Sequence, residues 1–200
     1  MKTIIASAAA LALALTLAGC STESSGPVEG STKPTTASES KTPTPTPEAA
    51  LGTRPNPFPV GTPGKHSKDS VWTFTWADTD GNAWPKIQQA NAYNTAPAEG
   101  QSFVLASMKV AADPSLPAEG GDPTGSFTIS YVGSDGNSYT AAGDCGALPS
   151  KAWYEFGRMY PGASQDGLVC TSVPTTAVGG GTWHVQSLVG VGDAYFVGAK

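Results

Sequence analysis

The sequence predicts an all-β sandwich, on three observations. Glycine (24) and proline (17) together make up about a fifth of the 200 residues, against a usual share of roughly an eighth. Several short runs alternate apolar and polar residues with a period of two, the pattern of strands that bury one face. The runs are separated by clusters of Gly, Pro, Asp and Asn, and no segment joins a helical apolar period to capping signals. Seven or eight short strands of this kind make an all-β sandwich the leading architecture.

The chain opens on an address rather than a fold. Lys2 is followed by an almost unbroken apolar run of 14 residues, Ile4 to Leu17. A spanning helix needs about 20 apolar residues, with about 17 as the lower limit, so the run reads as the core of a signal peptide covering residues 1–19. It ends in Leu17-Ala18-Gly19-Cys20, which resembles the lipobox of bacterial lipoproteins, where the cysteine receives diacylglycerol and becomes the first mature residue. The resemblance implies a lipid on Cys20 and an extracytoplasmic protein held at the cell membrane. Each buried methylene contributes about 0.8 kcal/mol, and two or more acyl chains anchor stably where one does not.

Residues 20–57 form the expected linker. From Ser21 to Pro57, Ser, Thr and Pro make up more than half of the positions and large apolar side chains are scarce. Such a stretch buries too little surface to offset its ordering entropy and is expected to be disordered. Thr42-Pro43-Thr44-Pro45-Thr46-Pro47 is its stiffest part, because proline fixes φ and favours an extended chain. Its 37 residues reach about 115 Å at full extension and about 33 Å as a flexible coil.

Residues 58–200 are the predicted domain. Val71-Trp72-Thr73-Phe74-Thr75-Trp76 places Trp72, Phe74 and Trp76 on one face and Thr73 and Thr75 on the other. In Ser102 to Val110 the residues Val104, Ala106, Met108 and Val110 share a face, while Phe103 and Leu105 predict that the first half of this strand is covered on both sides. Phe127, Ile129 and Tyr131 mark a third strand. The run Gly133-Ser134-Asp135-Gly136-Asn137 then predicts a turn into Ser138-Tyr139-Thr140, since glycine supplies the positive φ that a tight hairpin needs. Further strands are expected at Trp153–Phe156, Gly167–Val173, Trp183–Val191 and Ala194–Val197.

With Cys20 assigned to lipid, Cys145 and Cys170 remain. Outside the cytoplasm two such cysteines are most economically a disulfide. The alternative, free thiols serving metal or redox chemistry, lacks a Cys-x-x-Cys spacing.

Ala90-Asn91-Ala92-Tyr93-Asn94-Thr95-Ala96-Pro97-Ala98-Glu99-Gly100-Gln101-Ser102-Phe103-Val104 resembles the opening of uncharacterised extracytoplasmic immunoglobulin-like domains of Gram-positive lipoproteins, related in fold to a secreted mycobacterial immunoprotective antigen. Asp135-Gly136-Asn137-Ser138-Tyr139, Tyr160-Pro161-Gly162, Gly167-Leu168-Val169 and Val173-Pro174 follow in that family's order. The resemblance covers roughly residues 70–200, with two departures. Ala111-Ala112-Asp113 stands where an Asn commonly follows the strand, and Cys170 replaces a usual aromatic. It implies an immunoglobulin-like antiparallel β-sandwich and no catalytic residue.

Charge and motifs narrow the function classes. Only 14% of residues are charged, and 11 basic against 16 acidic side chains leave a net charge of -5. Nucleic acid, whose binding rests on Lys and Arg neutralising phosphates, is therefore not an expected partner. The two histidines, His66 and His184, read as structural. No Gly-x-Ser-x-Gly nucleophile elbow occurs, the nearest string being Gly162-Ala163-Ser164-Gln165-Asp166. No catalytic residue, metal ligand or cofactor is assigned. Asp78-Thr79-Asp80-Gly81-Asn82 resembles the start of a calcium loop, but the distant bidentate Glu is missing and a plain turn is the preferred reading. Trp84, Trp153 and Tyr154 fall at expected loops or strand ends, where exposed rings would form a binding surface, but core packing is the preferred reading.

These readings converge on a lipid-anchored, non-enzymatic module that binds a protein or an envelope polymer. The alternatives are an envelope hydrolase and a carrier of an apolar ligand. Mass spectrometry of the membrane-extracted protein is expected to show an acylated N-terminal peptide beginning at Cys20. An unmodified mature chain starting elsewhere would remove the anchor.

Overall fold

The structure, a computed structural model, describes residues 49–190 and 192–200. The signal peptide 1–19, Cys20 and most of the linker lie outside the described residues, as does Val191. In chain order the elements are β1 (Trp72–Asp80), α1 (Trp84–Ala90), β2 (Gln101–Ala112), β3 (Phe127–Val132), β4 (Ser138–Thr140), a 3-10 turn (Trp153–Glu155), β5 (Ser164–Pro174), α2 (Thr175–Val178), β6 (Thr182–Ser187) and β7 (Asp193–Val197).

Seven strands form two antiparallel sheets, one ordered β1-β2-β5 and the other β4-β3-β6-β7. The pairs β1–β2, β3–β4 and β6–β7 are neighbours within a sheet, whereas the β2–β3, β4–β5 and β5–β6 connections cross from one sheet to the other. Trp72, Phe74 and Trp76 are buried between the sheets, as their alternation predicts, and meet Phe127, Ile129, Tyr131, Trp183, Val185 and Phe196 from the opposite sheet.

β1 continues beyond the predicted run because it contains a bulge. Trp76 pairs with Met108 and Thr79 with Ala106, so three residues on β1 match two on β2. The extra residue resets the alternation, and the Thr79 hydroxyl accepts a hydrogen bond from Trp183 Nε1 at 2.9 Å. The β3–β4 hairpin forms where Asp135-Gly136 predicts it. Gly136 has φ +86°, and Asp135 Oδ1 accepts the Asn137 N–H.

β2 is the central strand of its sheet, and its first half is covered on both faces. Val104, Ala106, Met108 and Val110 enter the inter-sheet core. Phe103 and Leu105 point the other way, into a second apolar cluster with Ala83, Ile87, Cys145, Leu168 and Cys170. The cover comes partly from α1, which the sequence reading does not foresee. Seven residues are too short to display a helical period, although Pro85 at the start of the helix is a signal for it. Ile87 is its buried anchor, and Asp80 holds Lys86 at 2.8 Å.

Cys145 and Cys170 form a disulfide with a Cα–Cα distance of 6.1 Å. It lies in the second cluster and ties the loop after β4 to the outer face of β5. The sheets themselves are joined by aromatic packing.

Two further expectations are corrected. Trp153–Phe156 is a 3-10 turn instead of a strand. Its geometry sends Trp153, and then Phe156 and Met159, into the main core from one connection, and Glu155 Oε2 closes the turn by accepting the Ala152 N–H at 2.9 Å. The strand expected at Trp183–Val191 ends at Ser187, where the chain turns into β7.

The contacts of the sandwich begin upstream of residue 58. The Tyr195 N–H donates to the Gly52 carbonyl, and the Phe58 N–H donates to the Tyr195 carbonyl, each at 2.8 Å. Farther on, Gly64 exchanges two 2.8 Å hydrogen bonds with Phe74. One strap therefore runs along the edge of β7 and then along that of β1, occupying backbone groups that an exposed edge would leave open to another chain.

Because the disulfide lies outside the inter-sheet core, a Cys145→Ala/Cys170→Ala variant of the full chain is expected to keep both sheets. It should lose about 3 kcal/mol of stability, the loop-entropy value for a bridge of this span. Guanidinium unfolding followed by tryptophan fluorescence checks this, with an unchanged midpoint as the contrary outcome.

Candidate functional site

The outer faces of the two sheets differ. The β1-β2-β5 sheet is covered over the first half of β2 by α1 and the disulfide loop. On the β4-β3-β6-β7 sheet, the outward positions of β3 and β6 alternate strictly with core residues, so Thr128, Ser130 and Val132 share a face with Thr182, His184 and Gln186.

The strand registers arrange this face in cross-strand rows. The central row runs Thr140, Ser130, His184, Tyr195 across all four strands. One flanking row is Thr128, Gln186, Asp193, and the other is Ser138, Val132, Thr182, Val197. Neighbouring strands stand about 4.8 Å apart, so four strands present side chains over about 14 Å. A groove of about 380 Å³ lies over this face, lined by Ser130, His184, Gln186 and Tyr195 among others, with Arg54 of the strap at its margin.

His184 is the most constrained polar group here. Its ring stacks on Tyr195 with centroids 4.4 Å apart and planes 16° from parallel, and Nε2 lies 3.2 Å from Asp193 Oδ2. The side chain is only 13% exposed. Arg54 Nη2 donates to the Gly133 carbonyl at 3.2 Å, joining the strap to the β3–β4 hairpin. Burial and the Asp193 carboxylate raise the Tyr195 hydroxyl above its ordinary pKa, and Arg54 opposes the shift. Tyr195 is thus a neutral phenol near neutral pH.

Ser130, His184 and Asp193 are the residue types of a hydrolytic triad on one face. Their geometry does not assemble one. Among the described residues no hydrogen bond joins Ser130 to His184, and the imidazole is engaged with Asp193 and Tyr195. A serine nucleophile needs its base within hydrogen-bond reach.

The other histidine meets a serine, but with the proton running the wrong way. The Ser70 hydroxyl donates to the Trp72 carbonyl at 2.9 Å and accepts the Trp72 N–H at 3.1 Å. His66 Nδ1, 3.2 Å away, is left to donate to Ser70. The pair locks the start of β1 and activates nothing.

The residues expected to form a binding surface are distributed differently. Trp153 is 7% exposed and stacks on Phe127 at 5.7 Å in the main core, so it is withdrawn from the surface. Trp84 opens α1 and is half-buried against Phe103. Tyr154 remains 43% exposed. The Asp78–Asn82 segment is the end of β1 and a turn. Asp80 Oδ1 accepts the Asn82 N–H while Oδ2 holds Lys86, and these contacts lower its pKa, the Lys86 hydrogen bond first. Among the described residues no three His, Cys, Asp or Glu side chains are grouped to hold a metal ion.

The residues that the sequence reading passed over are those of the open face. The only signal was the polar half of the alternation in β3 and β6, which any solvent-facing sheet shares. Their alignment into rows depends on register.

No protein-family model matches this chain, and no curated protein matches it. Among solved structures it is similar to a conserved hypothetical protein from Bacillus anthracis, with a TM-score of 0.43 and 11% identity over 70% of this chain and 95% of that one. It is also similar to an uncharacterized beta-sandwich protein from Clostridium difficile 630, with a TM-score of 0.37 and 8% identity over 70% of this chain and 93% of that one.

His66 sets a pH dependence. Burial lowers its pKa from 6.5, so the native state binds fewer protons than the unfolded chain. Its contribution to stability is present above pH 6.5 and is lost as pH falls through the lowered value. Melting temperatures of the full chain are expected to fall between pH 7 and pH 5 more steeply than those of His66→Gln, and parallel curves would refute the assignment. A second loss should follow between 3.8 and about 2, where Asp113, held down first by the Ser115 N–H and hydroxyl and then by Lys65, becomes protonated.

Proposed function

We propose that the chain is a lipid-anchored binding module at the outer surface of the cell membrane, and that it acts without catalysis. The linker between Cys20 and the sandwich confines the domain to one zone and raises the effective concentration of partners there. The partner is a protein or a polymer of the envelope.

The observation that carries this reading is the outer face of the β4-β3-β6-β7 sheet, where Gln186 and Thr140 are exposed and Thr128 and Tyr195 half-buried around a groove that the buried Ser130 also lines. Its central row, Ser130, His184 and Tyr195, brings polar groups into one register beneath a shallow groove. Presentation on paired strands fixes these groups before a partner arrives and so lowers the ordering cost of binding. Catalysis would require a nucleophile, its base and a place for the developing charge to converge, and the Ser130–His184 relation lacks the first contact. An apolar-ligand carrier would line its cavity with apolar side chains. The cleft of about 760 Å³ between the end of β1 and the C-terminal segment mixes Val60, Val178 and Val197 with Asp78, Asp80 and Asn82, so its lining is not the continuous apolar one a carrier needs.

Photo-cross-linking in intact cells tests the reading on the full chain. A photoreactive residue at Thr128, on the open face, is expected to capture an envelope component saturably, and one at Trp84, on the covered sheet, is not. Equal capture from both positions would defeat the assignment of the face. Turnover of peptidoglycan, glycan or ester substrates that disappears in Ser130→Ala and His184→Ala would defeat the non-enzymatic reading.

A further inference from the structure

The open face also indicates what kind of molecule it takes. Its central and Gln186 rows offer hydroxyls from Thr128 and Thr140, the amide of Gln186, and the imidazole and phenol of the His184–Tyr195 stack, with Ser130 buried between them. Hydroxyls and amides both donate and accept, so they suit a ligand that carries both functions on every unit. Charge is sparse and balanced, with Arg54 at one margin of the groove and Asp193 at the end of a flanking row. An anionic polymer would call for clustered Lys and Arg.

A protein partner fits this chemistry less well. Interface energy concentrates in large apolar or aromatic anchors inserted into desolvated pockets. The rows built on Ser130 and Gln186 hold hydroxyls and an amide where such an anchor would have to bury itself. A sugar ring has the complementary construction, with hydroxyls around its edge and an apolar C–H face. The half-buried Tyr195 ring, held flat against His184 and kept neutral, provides an apolar surface beside hydrogen-bonding groups.

We infer that the outer face of the β4-β3-β6-β7 sheet binds a neutral polysaccharide of the cell envelope, with Gln186 and Thr128 hydrogen-bonding its hydroxyls and Tyr195 carrying a sugar ring. The inference rests on the reading of this face as the binding surface and adds the class of its partner. Arg54 reaches from the strap to the Gly133 carbonyl of the β3–β4 hairpin and borders the groove.

The detergent-solubilised full chain can be depleted from solution by beads carrying mannan or β-glucan, with polygalacturonate beads as the anionic control. Retention is expected on at least one neutral polysaccharide, with weaker or no retention on polygalacturonate. Gln186→Ala, at an exposed position, and Tyr195→Ala are each expected to weaken that retention tenfold or more with unchanged melting. Thr128→Lys provides the same comparison should Tyr195→Ala melt early, and Trp84→Ala, on the other sheet, should retain the wild-type isotherm. No retention on either neutral polysaccharide, retention indifferent to the open-face variants, or preferential retention on polygalacturonate lost in Arg54→Ala would overturn the inference. If Thr128 photo-cross-links then capture a protein, the face remains the binding surface and only the saccharide assignment falls.

Discussion

The two sheets are held together by the contact between Trp76 of β1 and Trp183 of β6. Their rings stack at 5.0 Å with planes 17° apart, and Tyr131 meets Trp183 edge-on at 5.1 Å. Phe196 and Phe74 extend the contact, and Phe74 meets Phe127 edge-on at 4.7 Å. Each such pair contributes about 0.5–1.5 kcal/mol beyond the area it buries. Much of the surrounding backbone conforms to these rings. The bulge in β1 turns Thr79 to accept the Trp183 N–H, and the Tyr131 hydroxyl donates to the Val178 carbonyl. Gly181 and Gly198 both lie against the Tyr131 ring where a Cβ would collide.

With the sheets joined by rings, the disulfide is free to serve elsewhere. Antibody domains place their bridge between the sheets. Here it fastens a loop over β5 and helps bury Phe103 and Leu105. One outer face is thereby partly closed as core, and the opposite sheet keeps its polar rows. The asymmetry is what makes the open face stand out as a site.

The strap links this architecture to the expected tether. Chain leaving the linker pairs first with β7 and then with β1, and on the way Arg54 reaches the β3–β4 hairpin. The strap therefore also borders the candidate binding groove. Lys65 fastens the end of the strap to Asp113 at 3.2 Å.

Strands β1 to β5 and β7 were legible in the sequence, β1, β2 and β3 because burial of one face imposes a period of two that local composition records directly. The cysteine pairing was legible for a similarly local reason, the two thiols that remain once Cys20 is set aside as the expected lipid site. Helix α1 was not, since one buried Ile87 in seven residues makes no period, and Trp153 could be read as a strand or a surface ring until its connection turned it inward. The open face was legible only as polarity. Which of Ser130, His184, Tyr195 and Asp193 become neighbours depends on strand order and register, and these are decided by the fit of Trp76, Trp183 and Tyr131 across the core. Sequence by itself determined the strand faces and the available thiols, since both follow from residue type at short range. Tertiary structure alone decided the site, since its members lie on strands that meet only when distant side chains pack.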